Sequence, residues 1–327
     1  MIPGHATAAG TRRFHTRRAA AALPDHARPF RDLALSSVGI GSYLGPLDDA
    51  TDDGYTASVT RALALGINVV DTAINYRAQR SEHAVGRAIA VSALLRDEVI
   101  VASKAGFLPF DRARPADPAA YFRATYLDTG LIPPGELACG CHSLAPRFLA
   151  DQLTRSRTNT GLATLDIYYL HNPETQLDEI DRPTFLARMR AAFTALEAAV
   201  SDGAIRFYGT ATWSGYRVPP TARDHLDLAE LVGLARDVAG DAHHFAFVQL
   251  PLNPAMPEAA TLPTQRGRTL LQAAAELGLH VMSSSSIHQG RLPATLAETR
   301  TTPGLGTALV GMSRPAHVDA NAASFRR

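Results

Sequence analysis

Cysteine, net charge and long apolar runs are all scarce in this chain of 327 residues, and each shortage removes a class of protein. Its two cysteines, Cys139 and Cys141, stand one residue apart, too close to bridge each other. That excludes a disulfide scaffold and predicts a reducing compartment, so the expected location is the cytoplasm. A formal net charge of +1 gives no electrostatic reason to expect nucleic acid, a membrane surface or polyanions as partners. No stretch approaches the length of a membrane span. Arg12, Arg13, Arg17 and Arg18 make the first thirty residues basic, but no apolar h-region follows, so the pattern reads as a tail or a cap on the fold (1–32) rather than an export signal.

What is present is alternation. Short apolar runs at 38–41, 67–70, 99–102, 166–170, 205–208, 245–250, 279–283 and 307–310 read as strands. Segments with helical spacing or start signals lie between them, at 52–65, from Ser81, and at 146–160, 183–202, 226–238 and 264–277, with a last one at 315–325. Strict alternation implies a parallel sheet, and eight units imply closure into a (β/α)8 TIM barrel over 33–327. The competing doubly wound sheet would need a G-x-G-x-x-G turn after a strand, and none follows any of these.

In such a barrel the residues at C-terminal strand ends converge on one mouth. Asp71, Lys104, His171 and Gln249 hold those positions, with Tyr76 five residues beyond Asp71. Taken singly, an aspartate there caps a loop, a tyrosine packs, a lysine is solvated and a histidine is structural. Together they suggest acid–base chemistry. An ammonium beside a phenol favours the phenolate and is expected to lower a pKa that starts near 10, while Asp71 keeps Lys104 charged. His171 would hydrogen-bond the carbonyl oxygen that Tyr76 protonates.

Asp71-Thr72-Ala73, Tyr76, Ser81-Glu82 with Val85-Gly86, Ser103-Lys104 and Tyr169-Leu170-His171 resemble the successive signatures of the aldo-keto reductases. The resemblance extends over 33–321, with Gly203-Ala204-Ile205-Arg206, Gly209, Val248-Gln249, Gly311-Met312-Ser313 and Asn321. It implies a barrel that uses NADPH to reduce an aldehyde or ketone, with Asp71, Tyr76, Lys104 and His171 as the catalytic tetrad. On the same basis Gly41, Ser42, Tyr43, Thr212, Gln249, Ser284, Gly290, Gly311, Ser313, Arg314 and Asn321 are expected to bind the cofactor. Tyr43, Phe107, His142 and Trp213 are expected to meet the substrate.

Several positions depart from the family pattern. Ala211-Thr212 replaces a Ser-Asn pair, Ser284 stands where an aromatic usually stacks on the nicotinamide, and Ala320-Asn321 replaces Glu-Asn. Only sixteen residues separate Gly290 from Thr307, so the helix before the eighth strand is expected to be short or absent. The surplus lies elsewhere: sixty-six residues separate Lys104 from His171, and 107–145, with Phe107, Phe110, Tyr121 and Phe122, is expected to form a lid. Cys139, Cys141 and His142 do not match zinc spacings, so no metal is expected. The departures motivate two other readings: a barrel that keeps the tetrad for non-redox elimination, dehydration or rearrangement, and a binding subunit.

Overall fold

A computed structural model describes residues 1–291 and 293–326. Eight parallel strands close a barrel in the order β10-β3-β4-β5-β6-β7-β8-β9. These are β3 (Val38–Gly41), β4 (Val69–Asp71), β5 (Ile100–Ala105), β6 (Leu165–His171), β7 (Ile205–Ala211), β8 (Phe245–Pro251), β9 (His280–Ser284) and β10 (Thr307–Gly311). The helices packed outside include α2 (Asp49–Leu65), α3 (Arg80–Val91), α5 (Pro146–Thr160), α6 (Arg182–Ser201), α7 (Leu228–Ala239), α9 (Leu270–Glu276) and α11 (Pro315–Ala322). The chain is thus a (β/α)8 TIM barrel.

Successive side chains on a strand point to opposite faces, so each strand has an inward and an outward row. The outward rows, including Val70, Val101, Leu170, Val248 and Val281, pack with the helices in one large apolar cluster. The inward rows form a smaller cluster containing Val69, Ile100, Ala102, Ile167, Tyr169, Phe207, Phe247, Met282 and Leu309. One more step of two residues along those inward rows reaches Asp71, Lys104, His171, Gln249, Ser284 and Gly311. The mouth is therefore the polar end of the same rows that fill the barrel.

The first thirty-six residues close the opposite end. Helix α1 (Ala8–Thr16) is followed by the antiparallel pair β1 (Ala27–Phe30) and β2 (Leu33–Ser36). Leu33 and Leu35 join the inward cluster, and Phe30 packs against it. Arg13 and Arg17 both pair with Glu98, at 2.8 and 2.7 Å, while Ala6 N–H donates to Asp166 Oδ1 at 2.7 Å. Arg13 and Arg17 of this basic segment thus help to fasten it to the barrel.

Some boundaries differ from the sequence reading. The helix expected at 264–277 begins at Leu270, because Arg266 and Gly267 take left-handed conformations in a tight turn and Thr269 forms a reciprocal capping box with Gln272. Helix α7 starts at Leu228, because Asp227 caps it by accepting from Glu230 N–H. Ser81 does not cap α3: it is buried and its hydroxyl donates to Ser42 O at 2.6 Å, tying the helix to the mouth. His244, in the loop just before β8, is half-buried against Glu197, 2.7 Å away. Between Gly290 and Thr307 the helix is reduced to α10 (Leu296–Arg300); Leu292 in this segment lies outside the described residues.

The insertion after β5 has its own core. It contains α4 (Pro118–Phe122), a π-helical turn over Arg123–Leu127, and buried Leu108, Tyr126, Ile132 and Ala145 packed on Phe148 of α5. The remaining short helix, α8 (Glu258–Thr261), precedes α9.

Candidate active site

A cavity of about 890 Å³ opens at the C-terminal ends of the strands. At its floor Lys104 is fully buried, and its Nζ is 2.6 Å from Asp71 Oδ2, 2.8 Å from Thr72 O and 3.2 Å from Tyr76 Oη. Asp71 Oδ1 accepts from Gln249 Nε2 at 2.9 Å. The ammonium thus has three partners and the carboxylate two, which offsets much of the cost of burying them. Tyr76 sits just beyond β4, with its ring edge-on to His171 at 5.7 Å and tilted against Tyr43 at 4.9 Å.

Burial alone would lower the Lys104 pKa, but Asp71 and Tyr76 more than offset it, so the ammonium is held above its ordinary value. Burial drives His171 well below its ordinary value, and the nearby Lys104 ammonium adds to that, leaving a neutral imidazole. For Tyr76 the sequence expectation is corrected: Lys104 does pull the phenol down, but desolvation outweighs it and the net shift is upward. At neutral pH the phenol therefore keeps its proton. The arrangement holds a protonated phenol, a charged lysine and a neutral histidine around one end of the cavity.

The remaining site residues distribute unevenly. Gly41, Ser42, Tyr43, Thr212, Gln249, Ser284, Gly290, Gly311, Ser313 and Asn321 all line the cavity, as do Phe107 and Trp213. Arg314 does not; it is exposed and bonds His317, which does line it. His142 does not meet the cavity either. It is fully buried, one layer behind His171, because its Nε2 is held 2.8 Å from His171 O. Of the four lid aromatics only Phe107 reaches the cavity; Phe110 stacks on Phe122 at 4.8 Å, away from it.

Sequence reasoning missed Asn75, Asn172 and Ile287, all of which line the cavity. Asn172 follows His171 with a left-handed φ of 45°, and Asn is among the residues that tolerate it best. It also missed Glu174, whose buried Oε1 accepts from the backbone N–H groups of Trp213, Ser214 and Gly215 at 2.7, 3.1 and 3.2 Å. Burial holds that carboxyl above its ordinary value in spite of those donors. It anchors the turn that carries half-exposed Trp213 over the cavity. Strand-end position would have found Asn172; nothing in the local sequence marks Glu174.

Among the described residues no group of His, Cys, Asp and Glu is arranged to hold a metal ion, and no helix is long and apolar enough to cross a membrane.

Among solved structures the chain is similar to an aldo/keto reductase from Klebsiella pneumoniae in complex with NADP and acetate, at 20% identity and a TM-score of 0.62, covering 92% of this chain and 90% of that one. It is similar to the glycerol dehydrogenase of Gluconobacter oxydans at 18% identity and a TM-score of 0.61, over 92% and 90%. At those identities the likeness shows the fold. Curated relatives include the NADH-specific methylglyoxal reductase of Escherichia coli, 25% identical over 61% of this chain and 54% of that protein. The D-threo-aldose 1-dehydrogenase of a Pseudomonas species is 27% identical over 62% and 57%. The chain thus spans little more than half the length of the curated relatives it matches. The aldo/keto reductase family model matches residues 38–303, and the chain belongs to that family.

Proposed function

We propose that this oxidoreductase reduces an aldehyde or ketone to an alcohol with NADPH, using Tyr76 as the proton donor. The observation that carries the reading is Lys104 Nζ placed 3.2 Å from Tyr76 Oη and 2.6 Å from Asp71 Oδ2 beside a neutral His171. A phenol kept protonated by burial gives up its proton when negative charge develops on a carbonyl oxygen, and the Lys104 ammonium stabilises the phenolate left behind. Because Asp71 and Tyr76 hold that ammonium charged, its stabilisation needs no rearrangement. His171 steers the carbonyl by hydrogen bonding to the same oxygen.

The residues present fit a nicotinamide dinucleotide at several points. Helix α11 begins beside the cavity with Arg314 at its N-cap and no side-chain cap; Pro315 carries no N–H and the His317 N–H donates to Arg314 O at 2.9 Å, so within its first three positions the Ala316 amide is the one that would meet an anion. Gly311, Ser313, His317 and Asn321 line the cavity there, and Arg314 is near enough to His317 to meet a phosphate. Thr212, Gln249, Ser284 and Ile287 also line the cavity and would hold the nicotinamide end. When bound, the cofactor supplies the hydride that a carbonyl reduction requires. The Klebsiella pneumoniae neighbour in complex with NADP supports this reading.

The second reading, acid–base chemistry without nicotinamide, is favoured by one feature. Ala211 presents no hydroxyl to the cavity, and Ser284, Ser285 and Ser286 offer no aromatic face there. Titration with NADPH and NADH, followed through Trp213, the only tryptophan, separates the two. Saturable NADPH quenching supports the reductase; turnover of a substrate without any nicotinamide binding overturns it.

A further inference from the structure

The insertion is fastened to the catalytic strand through one buried histidine. His142 is fully buried. Arg188 Nη1 donates to Gln176 Oε1, so the amide nitrogen of Gln176 faces the imidazole and donates to His142 Nδ1 at 2.8 Å. With Nδ1 an acceptor, the ring proton belongs to Nε2, which is 2.8 Å from His171 O. The tautomer is set by its partners: a carbonyl only accepts, and an amide NH₂ only donates. Burial pushes the imidazole down to about 4, so it is neutral.

That hydrogen bond fixes the peptide joining His171 to Asn172. The next residue takes the left-handed φ of 45°, and both side chains line the cavity. The His171 ring has no other anchor of its own: its Nδ1 is buried with no partner among the described residues. It is held by ring contacts instead. Phe107 stands edge-on between His142 and His171, at 5.0 and 5.2 Å. Gly106 leaves the room this requires, since a Cβ there would lie 2.6 Å from His142 Nε2, at a φ of 135°.

We infer that His142 is a positioning residue: through its N–H to His171 O and its contact with Phe107, the insertion sets the orientation of His171 and Asn172 in the cavity. The inference rests on the reading that His171 steers the carbonyl. An ångström-scale misplacement of such a group costs up to about 100-fold in rate, so the effect is measurable.

Three variants test it. His142→Leu fills the space without the donor, and His142→Gln keeps an N–H that reaches His171 O. His142→Asn withdraws that N–H while remaining polar, and carries the leucine prediction if His142→Leu does not fold. The expected result is a fall of roughly 10- to 100-fold in kcat for His142→Leu with NADPH affinity by Trp213 quenching unchanged, and recovery in His142→Gln. The ¹⁵N resonances of the His171 ring in histidine-labelled protein move in the leucine variant and stay in the glutamine variant. Wild-type kcat and unmoved His171 resonances in His142→Leu overturn the inference, as does equal impairment of the two variants with unmoved resonances. If the wild type reduces no carbonyl but the His171 resonances still move, the positioning role stands and the proposed function falls.

Discussion

Lys104 reaches Tyr76 from beneath: its Nζ is 3.2 Å from the phenol oxygen and 4.6 Å from the ring centroid, on the far side of the cavity opening. The same nitrogen donates to Asp71 and to Thr72 O, so a single substitution removes three interactions. Lys104→Met should abolish turnover and destabilise the fold by about 3–5 kcal/mol, the usual cost of leaving one member of a buried ion pair alone. Adding Asp71→Asn should restore much of the stability and none of the activity. Chemical denaturation of the three proteins checks this; full stability in Lys104→Met would contradict it.

That relationship was partly legible before the structure. The apolar runs and their polar ends showed where strands stop, and a period of two then carries Val69 to Asp71 and Ala102 to Lys104 on the inward face. Electrostatic balance was not legible. The phenol's upward shift depends on how much water the cavity wall excludes, a sum over many distant residues. His142 was misplaced for a related reason: the sequence shows a histidine in a loop, but its burial depends on Gln176 and Phe107, thirty-four positions later and thirty-five earlier. The insertion's aromatics were expected over the mouth because a lone sequence shows no second core for them to fill.

Gly209 is the tightest point of the barrel wall. A Cβ there would lie 1.8 Å from Phe247 O, at the register shift between β7 and β8. Because the obstacle is backbone rather than a movable side chain, Gly209→Ala should cost several kcal/mol and prevent accumulation of folded protein at moderate temperature. Thermal unfolding of the variant decides this; a wild-type melting temperature would contradict it.

His280 is buried beside Thr307, 3.1 Å away, and burial pushes its pKa down to about 3. The folded state then binds fewer protons than the unfolded state from about pH 6.5 downward, so stability contributed by the neutral ring is lost as pH falls through that window. His280→Asn cannot take up this proton. Its stability should decline less steeply between about pH 6.5 and 4, by up to about 1.4 kcal/mol per pH unit. Identical slopes for the two proteins would contradict the assignment.

Ala211 lines the cavity without a hydroxyl, next to Thr212 and across from Gln249 of β8. Ala211→Ser should tighten NADPH binding by roughly tenfold, the value of one added hydrogen bond of about 1–1.5 kcal/mol. Quenching titrations of both proteins check this; unchanged or weaker binding would place the nicotinamide elsewhere.

The proposed role of Tyr76 is to deliver the proton in an NADPH-dependent carbonyl reduction. The direct measurement is NADPH oxidation in the presence of an aldehyde or ketone by wild type and Tyr76→Phe, with NADPH binding and melting temperature determined on the same samples. Folding and binding should be intact in the variant and the rate at least about 100-fold lower. A folded Tyr76→Phe that oxidises NADPH at the wild-type rate would contradict it.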